Sequence, residues 1–78
     1  MDVLNRELRN PFGEERYLAT EEVAALIGVD PSTLRRWRTS RPMQGPPFIR
    51  VSESVIRYNL TDVREWLLSR RIDPAKAA

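Results

Sequence analysis

The middle of the chain carries an arginine-rich stretch whose chemistry is anion binding. Residues 32–58 contain six arginines and a single acidic residue, Glu53. The guanidinium group is always charged, and its fork of N–H donors matches phosphate oxygens and the major-groove edge of guanine. The six arginines are Arg35, Arg36, Arg38, Arg41, Arg50 and Arg57. They indicate a polyanion-binding surface, although an ordinary solvated face remains the alternative at this point.

Composition excludes most catalytic chemistry. The chain of 78 residues has no cysteine and no histidine, which removes disulfides, Cys/His metal sites, His-dependent nucleophiles and a histidine general base. Glu21 and Glu22 are neighbours on a predicted helix, where they point about 100° apart and so do not form a carboxylate pair. We therefore expect a single small domain that is not an enzyme and has no metal or cofactor.

A helix that begins at Pro31 must position three of the arginines. Asp30 is a good N-cap residue, and proline is favoured at the first helical position. Leu34 and Trp37 are three residues apart and share one face, which is predicted to pack. The opposite face carries Ser32, Arg35, Arg36 and Thr39. Arg38 lies nearer the packed side than Arg35 and Arg36 do.

A second, shorter helix precedes this one. Thr20 is its predicted N-cap, and the acidic Glu21 and Glu22 fall in the first turn, where the helix dipole favours negative charge. Gly28 can take the left-handed conformation that ends a helix, and Val29 can fill the angle between the two helices. The spacing is that of a helix-turn-helix, or of an ordinary helical hairpin in an unrelated bundle. The arginine face favours the DNA-binding interpretation.

A β-hairpin is predicted after the helix pair. Residues 41–47 contain three prolines and a glycine, so they form a stiff connector that begins at Arg41. Two antiparallel strands are predicted at residues 48–51 and 55–58, because both segments are rich in β-branched and aromatic side chains. A hairpin in this position is a wing. Arg50 and Arg57 can reach DNA backbone or a minor groove, and Ser52 and Ser54 at the tip can donate to phosphates. The alternative is that these arginines only keep a sheet edge soluble.

A third helix completes the predicted domain. Asn59 caps it, with Asp62 at the third helical position. Its apolar side chains recur at helical spacing, so it is expected to pack on the other two helices. They are Leu60, Val63, Trp66 and Leu67. Trp37 and Trp66 are interpreted as core anchors rather than stacking platforms. The predicted fold class is mainly α with a small β-hairpin, a winged helix-turn-helix.

The rest of the chain is assigned by composition. Residues 1–16 are either a flexible acidic arm or an ordered strap, residues 17–71 form the domain, and residues 72–78 are a disordered tail. No stretch is long and apolar enough to span a membrane, and the N-terminus lacks the layout of a signal peptide. We therefore expect a cytoplasmic protein, associated with the nucleoid and encoded by a bacterium or a phage, without a membrane partner.

An ordered run of short motifs resembles a known group of proteins. The motifs are YLATEEVAALIGV (17–29), STLRRW (32–37), GPPFIR (45–50), IRY (56–58), DV (62–63) and WL (66–67). Together they resemble the small MerR-like winged-helix proteins, and most of all the excisionase and AlpA-type regulators of prophages and integrative elements. Two features depart from that pattern. The wing tip at residues 52–54 lacks the usual glycine and is slightly long, and residues 1–16 lie outside the shared module.

The resemblance implies a DNA-binding protein without catalysis. The helix equivalent to residues 31–39 would enter the major groove, and the hairpin equivalent to residues 48–58 would follow the adjacent backbone or minor groove. Excisionases of this kind bind adjacent sites side by side, bend attachment-site DNA, and help an integrase to excise the element. The implied partners are double-stranded DNA, further copies of the chain and a cognate integrase.

The expected DNA contacts fall into two groups, contacts to base edges and contacts to phosphates. Arg35 and Arg36 are predicted to contact base edges. Ser32, Thr33 and Thr39 assist them, while phosphate contacts come from Arg38, Arg41, Arg50 and Arg57 and, at the wing tip, from Ser52 and Ser54. The leading hypothesis is an excisionase. A transcriptional regulator that uses the same surface and a protein-interaction adaptor remain the alternatives.

Overall fold

The computed structural model describes residues 15–76 and shows three helices with a small antiparallel sheet. In chain order the elements are β1 (Tyr17–Leu18), α1 (Thr20–Ile27), α2 (Pro31–Thr39), β2 (Ile49–Arg50), β3 (Ile56–Asn59) and α3 (Leu60–Ser69). This arrangement confirms the predicted winged helix-turn-helix. Residues 1–14 of the predicted arm and residues 77–78 of the predicted tail lie outside the described range.

Local hydrogen bonds set the beginnings of α2 and α3. Asp30 Oδ1 accepts from the Ser32 backbone N–H at 2.9 Å, and Asn59 Oδ1 accepts from the Asp62 N–H at 3.1 Å. Each bond satisfies a backbone donor that the first helical turn leaves without an intrahelical partner. Pro31 follows Asp30 at the first helical position, where a missing N–H costs nothing. Both predicted caps are confirmed.

The predicted cap of α1 is wrong by one residue. Ala19 is the N-cap and has no side-chain acceptor, while Thr20 is the first helical residue and is buried. The Glu22 carboxylate instead accepts from the Ala19 N–H at 2.8 Å, which is the reciprocal half of a capping box. Because Thr20 lies inside the helix and not at its cap, its hydroxyl takes part in a different contact, described below.

The turn between α1 and α2 depends on Gly28. Its φ of 79° places it in the left-handed region, where a side chain is strained. The N–H groups of Gly28 and Val29 both donate to the Ala24 carbonyl at 2.9 Å, which closes the end of α1. Val29 then packs against the core between the helices. The helix-turn-helix geometry therefore arises where the sequence predicted it.

The central strand of the sheet is β3. It pairs with β2 in the register Ile49 to Arg57, which forms the predicted wing hairpin. It also pairs with β1, in the register Leu18 to Tyr58, and this strand is not predicted from the sequence. Two residues are too short to show the alternation by which a strand is recognised. The Leu60 N–H donates to the Arg16 carbonyl at 2.9 Å, so backbone pairing extends to residue 16.

One buried cluster joins all three helices to β3. Its members are Val23, Ala24, Leu34, Ile56, Tyr58 and Val63. Leu34 is the only residue of α2 that is fully buried, with 1% of its surface exposed. The arginine-bearing helix is thus attached to the core chiefly by this side chain. Along the described residues, no helix has the length and apolar composition needed to cross a membrane.

The two tryptophans lie at the rim of the core. Trp37 and Trp66 are half-buried and pack against each other with ring centroids 5.9 Å apart. Gly45 lies on Trp37: a Cβ atom at this position would be 3.0 Å from the indole Cε3, and the glycine has a φ of 90°. The connector therefore needs glycine here for both its backbone conformation and its close approach to the ring.

The Asp30 cap makes a pH-dependent contribution to stability. Its pKa is lowered below the ordinary 3.8, first by hydrogen bonds from the Ser32 side chain and backbone, then by the charge of Arg35. A lowered pKa in the folded state gives stability that is present above the unfolded pKa and is lost as pH falls through the folded value. Asp30→Asn keeps a capping oxygen that does not titrate. We expect wild type to lose stability relative to this variant below about pH 4, as urea unfolding at several pH values will show.

Candidate nucleic-acid interface

The outer face of α2 carries the residues predicted to contact bases. Arg35 and Arg36 are both exposed, as are Ser32 and Thr39, whereas Thr33 is half-buried. Within residues 15–76 the ion pairs join Arg35 to Glu21 and Arg71 to Asp73, so Arg36 has no acidic partner there. The Arg36 guanidinium is available to a ligand without breaking an ion pair.

The hydroxyl groups on this face are already oriented by the helix. Ser32 Oγ donates to Asp30 Oδ1 at 2.7 Å, and Thr39 Oγ1 donates to the Arg36 carbonyl at 3.1 Å. A hydroxyl has one proton and two lone pairs. With their protons used inside the helix, Ser32 and Thr39 present acceptor oxygens to an approaching donor.

Arg38 differs from its neighbours because it points inward. Its Nη1 donates to Tyr58 Oη at 3.0 Å and to Thr20 Oγ1 at 3.2 Å. Its guanidinium carbon lies 5.7 Å from the centre of the Phe48 ring, within the range of a cation–π contact. These contacts tie α2 to α1 and to the wing. Arg38 is thereby placed to fix the orientation of the arginine face, and its predicted phosphate contact stays a prediction.

Replacing Arg38 tests this positioning role. Arg38→Met keeps a long side chain but removes both hydrogen bonds and leaves the Tyr58 hydroxyl without its donor. We expect a loss of about 1.5 kcal/mol in the free energy of unfolding, the lower end for bonds to a charged group because the side chain is only half-buried. Urea unfolding followed by tryptophan fluorescence measures the loss. The matched control is Arg41→Met, an exposed position for which no change beyond about 0.5 kcal/mol is expected; equal losses in the two variants would contradict the role.

The wing presents its polar side chains outward. Arg50 Nη1 donates to the Glu53 carbonyl at 3.4 Å, and Arg57 Nη1 donates to the Ile56 carbonyl at 2.8 Å. Each guanidinium keeps further N–H donors for other acceptors. Ser52 and Ser54 are exposed at the tip. Arg50 and Arg57 therefore retain the donors that phosphate contacts require.

A polar cleft of about 150 Å³ separates the start of α1 from the wing. Four predicted site residues line it, namely Arg35, Arg38, Ser54 and Arg57, together with Glu21 and Thr20. The fold thus brings two arginines of α2 beside one arginine of the wing. The other predicted residues lie outside the cleft. They are Ser32, Thr33, Arg36, Thr39, Arg41, Arg50 and Ser52.

Two participants in this surface were not predicted from the sequence. Glu21 Oε2 lies 2.8 Å from Arg35 Nη2, although the two residues are 14 positions apart. The Tyr58 hydroxyl meets Arg38 across 20 positions. Neither pairing has a local sequence signal, because each depends on how α2 packs against another element. The acidic first turn of α1 was explained by the helix dipole alone.

Residues 17–71, which hold every helix and strand described above, match the family described as Helix-turn-helix domain. No curated protein and no solved structure matches the chain.

Proposed function

The chain belongs to the helix-turn-helix domain family and is a DNA-binding protein, and we propose that it acts as a sequence-specific excisionase. The observation that carries the proposal is the exposed arginine face of α2 set beside Arg57 of the wing. Guanidinium groups on two adjacent elements match a ligand with base edges in a groove and phosphates along its rim. The family's DNA-binding role also favours a protein without catalysis.

In the proposed complex α2 lies in the major groove. That groove is about 12 Å wide and admits one α-helix. Arg36 is exposed and has no acidic partner in residues 15–76, so its fork can form two hydrogen bonds to the O6 and N7 atoms of a guanine. Arg35 is the second base contact. Ser32, Thr33 and Thr39 assist from the same helix, the first and last through their acceptor oxygens.

The wing and the connector contact the backbone in the proposed complex. Arg41, Arg50 and Arg57 bind phosphates, and Ser52 and Ser54 donate to phosphate oxygens at the wing tip. Each phosphate neutralised contributes about −0.9 to the slope of log affinity against log salt concentration. Three arginine contacts therefore give a slope of about −2.7.

The role in excision is supported by the resemblance to excisionases. The short length of α2 adds support for the side-by-side binding that such proteins use. A helix of nine residues offers few base contacts, so useful specificity calls for several copies side by side on repeated half-sites. Such an array bends attachment-site DNA and presents it to a cognate integrase. A transcriptional regulator that uses the same surface is the second candidate.

An excision assay separates these two roles. In cells that carry the parent element, deletion of the gene is expected to abolish the excised junction, and wild type restores it. Complementation with Arg36→Ala is expected to give at least about fivefold less junction, because one bidentate base contact is lost. Arg64→Ala, exposed on α3, serves as the matched control and is expected to restore excision. Unchanged excision with altered promoter activity would overturn the excisionase role and favour the regulator.

A further inference from the structure

We propose that Glu21 determines DNA specificity by keeping phosphates away from Arg35 and so reserving this arginine for base edges. This inference rests on the proposed function and concerns the same surface. Among the described residues that line the cleft, Glu21 is the one carboxylate beside Arg35, Arg38 and Arg57. Its charge therefore acts most strongly on an anion that approaches Arg35, the arginine with which it is paired.

The geometry of α1 leaves Glu21 free for this task. Glu22 performs the capping by accepting from the Ala19 N–H, so Glu21 is not needed to close the first turn. Its side chain is instead turned toward α2, where Oε2 lies 2.8 Å from Arg35 Nη2. Both side chains are more than half exposed, at 65% and 52%. Exposed pairs of this kind contribute little to folding stability, so the main effect of the pair falls on approaching ligands.

The pair affects the two classes of DNA contact in opposite ways. A guanidinium has five N–H donors, and the contact to Glu21 engages Nη2 alone. The remaining donors can still bind a guanine edge, and the carboxylate restrains the side chain so that less conformational freedom is lost on binding. A phosphate that approaches Arg35 in the cleft meets the negative charge of Glu21 at close range. Sequence-independent binding, which consists of phosphate contacts, is therefore penalised more than base reading.

Glu21→Gln removes the charge and keeps the shape of the side chain. The probes are a duplex that wild type enriches from a randomised pool and a scrambled duplex of the same length and composition. We expect the variant to bind the scrambled duplex roughly five- to tenfold more tightly and the enriched duplex less than twofold more tightly, since one further phosphate contact becomes available. The salt slope on the scrambled duplex should steepen by about 0.9.

Glu65→Gln is the matched control, because Glu65 is exposed on α3, carries the same charge and does not line the cleft. It is expected to tighten both duplexes equally and slightly. If Glu21→Gln does the same, Glu21 acts only through net charge and the inference is overturned. In an Arg35→Ala background Glu21→Gln is expected to leave the ratio of the two affinities unchanged. A further change in that ratio there would show that Glu21 does not act through Arg35.

The inference and the proposed function fail in different ways. If wild type enriches no sequence from the randomised pool, sequence-specific binding itself is wrong. If wild type prefers its enriched duplex and Glu21→Gln keeps the full preference, only the role of Glu21 is wrong. Far-UV circular dichroism of both glutamine variants establishes that each is folded before its affinity is compared.

Discussion

Arg36→Ala is expected to weaken binding to the preferred duplex by about 1–3 kcal/mol, which is roughly a 5- to 150-fold loss of affinity. Arg36 lies exposed on α2, and no acidic side chain in residues 15–76 pairs with it. Its removal is therefore expected to delete the proposed base contact without breaking an ion pair. Fluorescence anisotropy with the preferred and the scrambled duplex measures the loss. Affinity for the scrambled duplex should fall much less.

A loss of affinity confined to the preferred duplex would distinguish a base contact from a phosphate contact. Arg64→Ala is the control, because Arg64 is exposed on α3 and its removal changes net charge by the same amount. It should leave the preference between the two duplexes intact. An equal loss on both duplexes for Arg36→Ala would place this arginine on the phosphate backbone and contradict base reading.

Leu34→Ala is expected to lower the free energy of unfolding by about 2–5 kcal/mol, through lost burial and the cavity that remains. Leu34 is 1% exposed and is the buried residue by which α2 joins the core. A domain's stability is typically only about 5–15 kcal/mol, and a chain of 78 residues has a modest core. Urea unfolding followed by far-UV circular dichroism is therefore expected to show a much lower midpoint.

An exposed apolar residue provides the control for Leu34. Ile72 is 80% exposed, so Ile72→Ala removes a similar side chain with an expected change within about 0.5 kcal/mol. A Leu34→Ala midpoint close to that of wild type would contradict the placement of α2 on the core. Together, Arg36→Ala and Leu34→Ala are expected to place DNA binding and stability on opposite faces of α2.

Much of the fold follows from chemistry that acts over a few residues. Asp30 and Asn59 each bond a backbone N–H two or three positions ahead, and Gly28 ends α1 by its own conformation. Such signals are visible in the sequence because the partners are close together in the chain. Strand β1 has no such signal, since two residues become a strand only when β3 lies beside them. Thr20 is not the N-cap, because Ala19 takes the extended N-cap conformation and the Glu22 carboxylate accepts from the Ala19 N–H.

The sequence predicts which face of α2 carries the site residues, but it does not predict which side chains those residues contact. Helical spacing predicts that Arg35 and Arg36 face outward and that Arg38 lies nearer the core, and the structure has this arrangement. The sequence does not predict that Arg38 bonds Tyr58 or that Arg35 pairs with Glu21. Those contacts depend on the angles at which α2 meets β3 and α1. Tertiary packing sets these angles, and helical periodicity carries no information about them.

The central claim is that the arginine face of α2 reads guanines in the major groove. Methylation interference tests it directly, because methylation of guanine N7 blocks the acceptor to which an arginine fork binds. In the preferred duplex, methylation of particular guanines is expected to abolish binding by wild type. For Arg36→Ala, methylation at one of these guanines should no longer reduce binding. Binding by wild type that is indifferent to methylation at every guanine would contradict the claim.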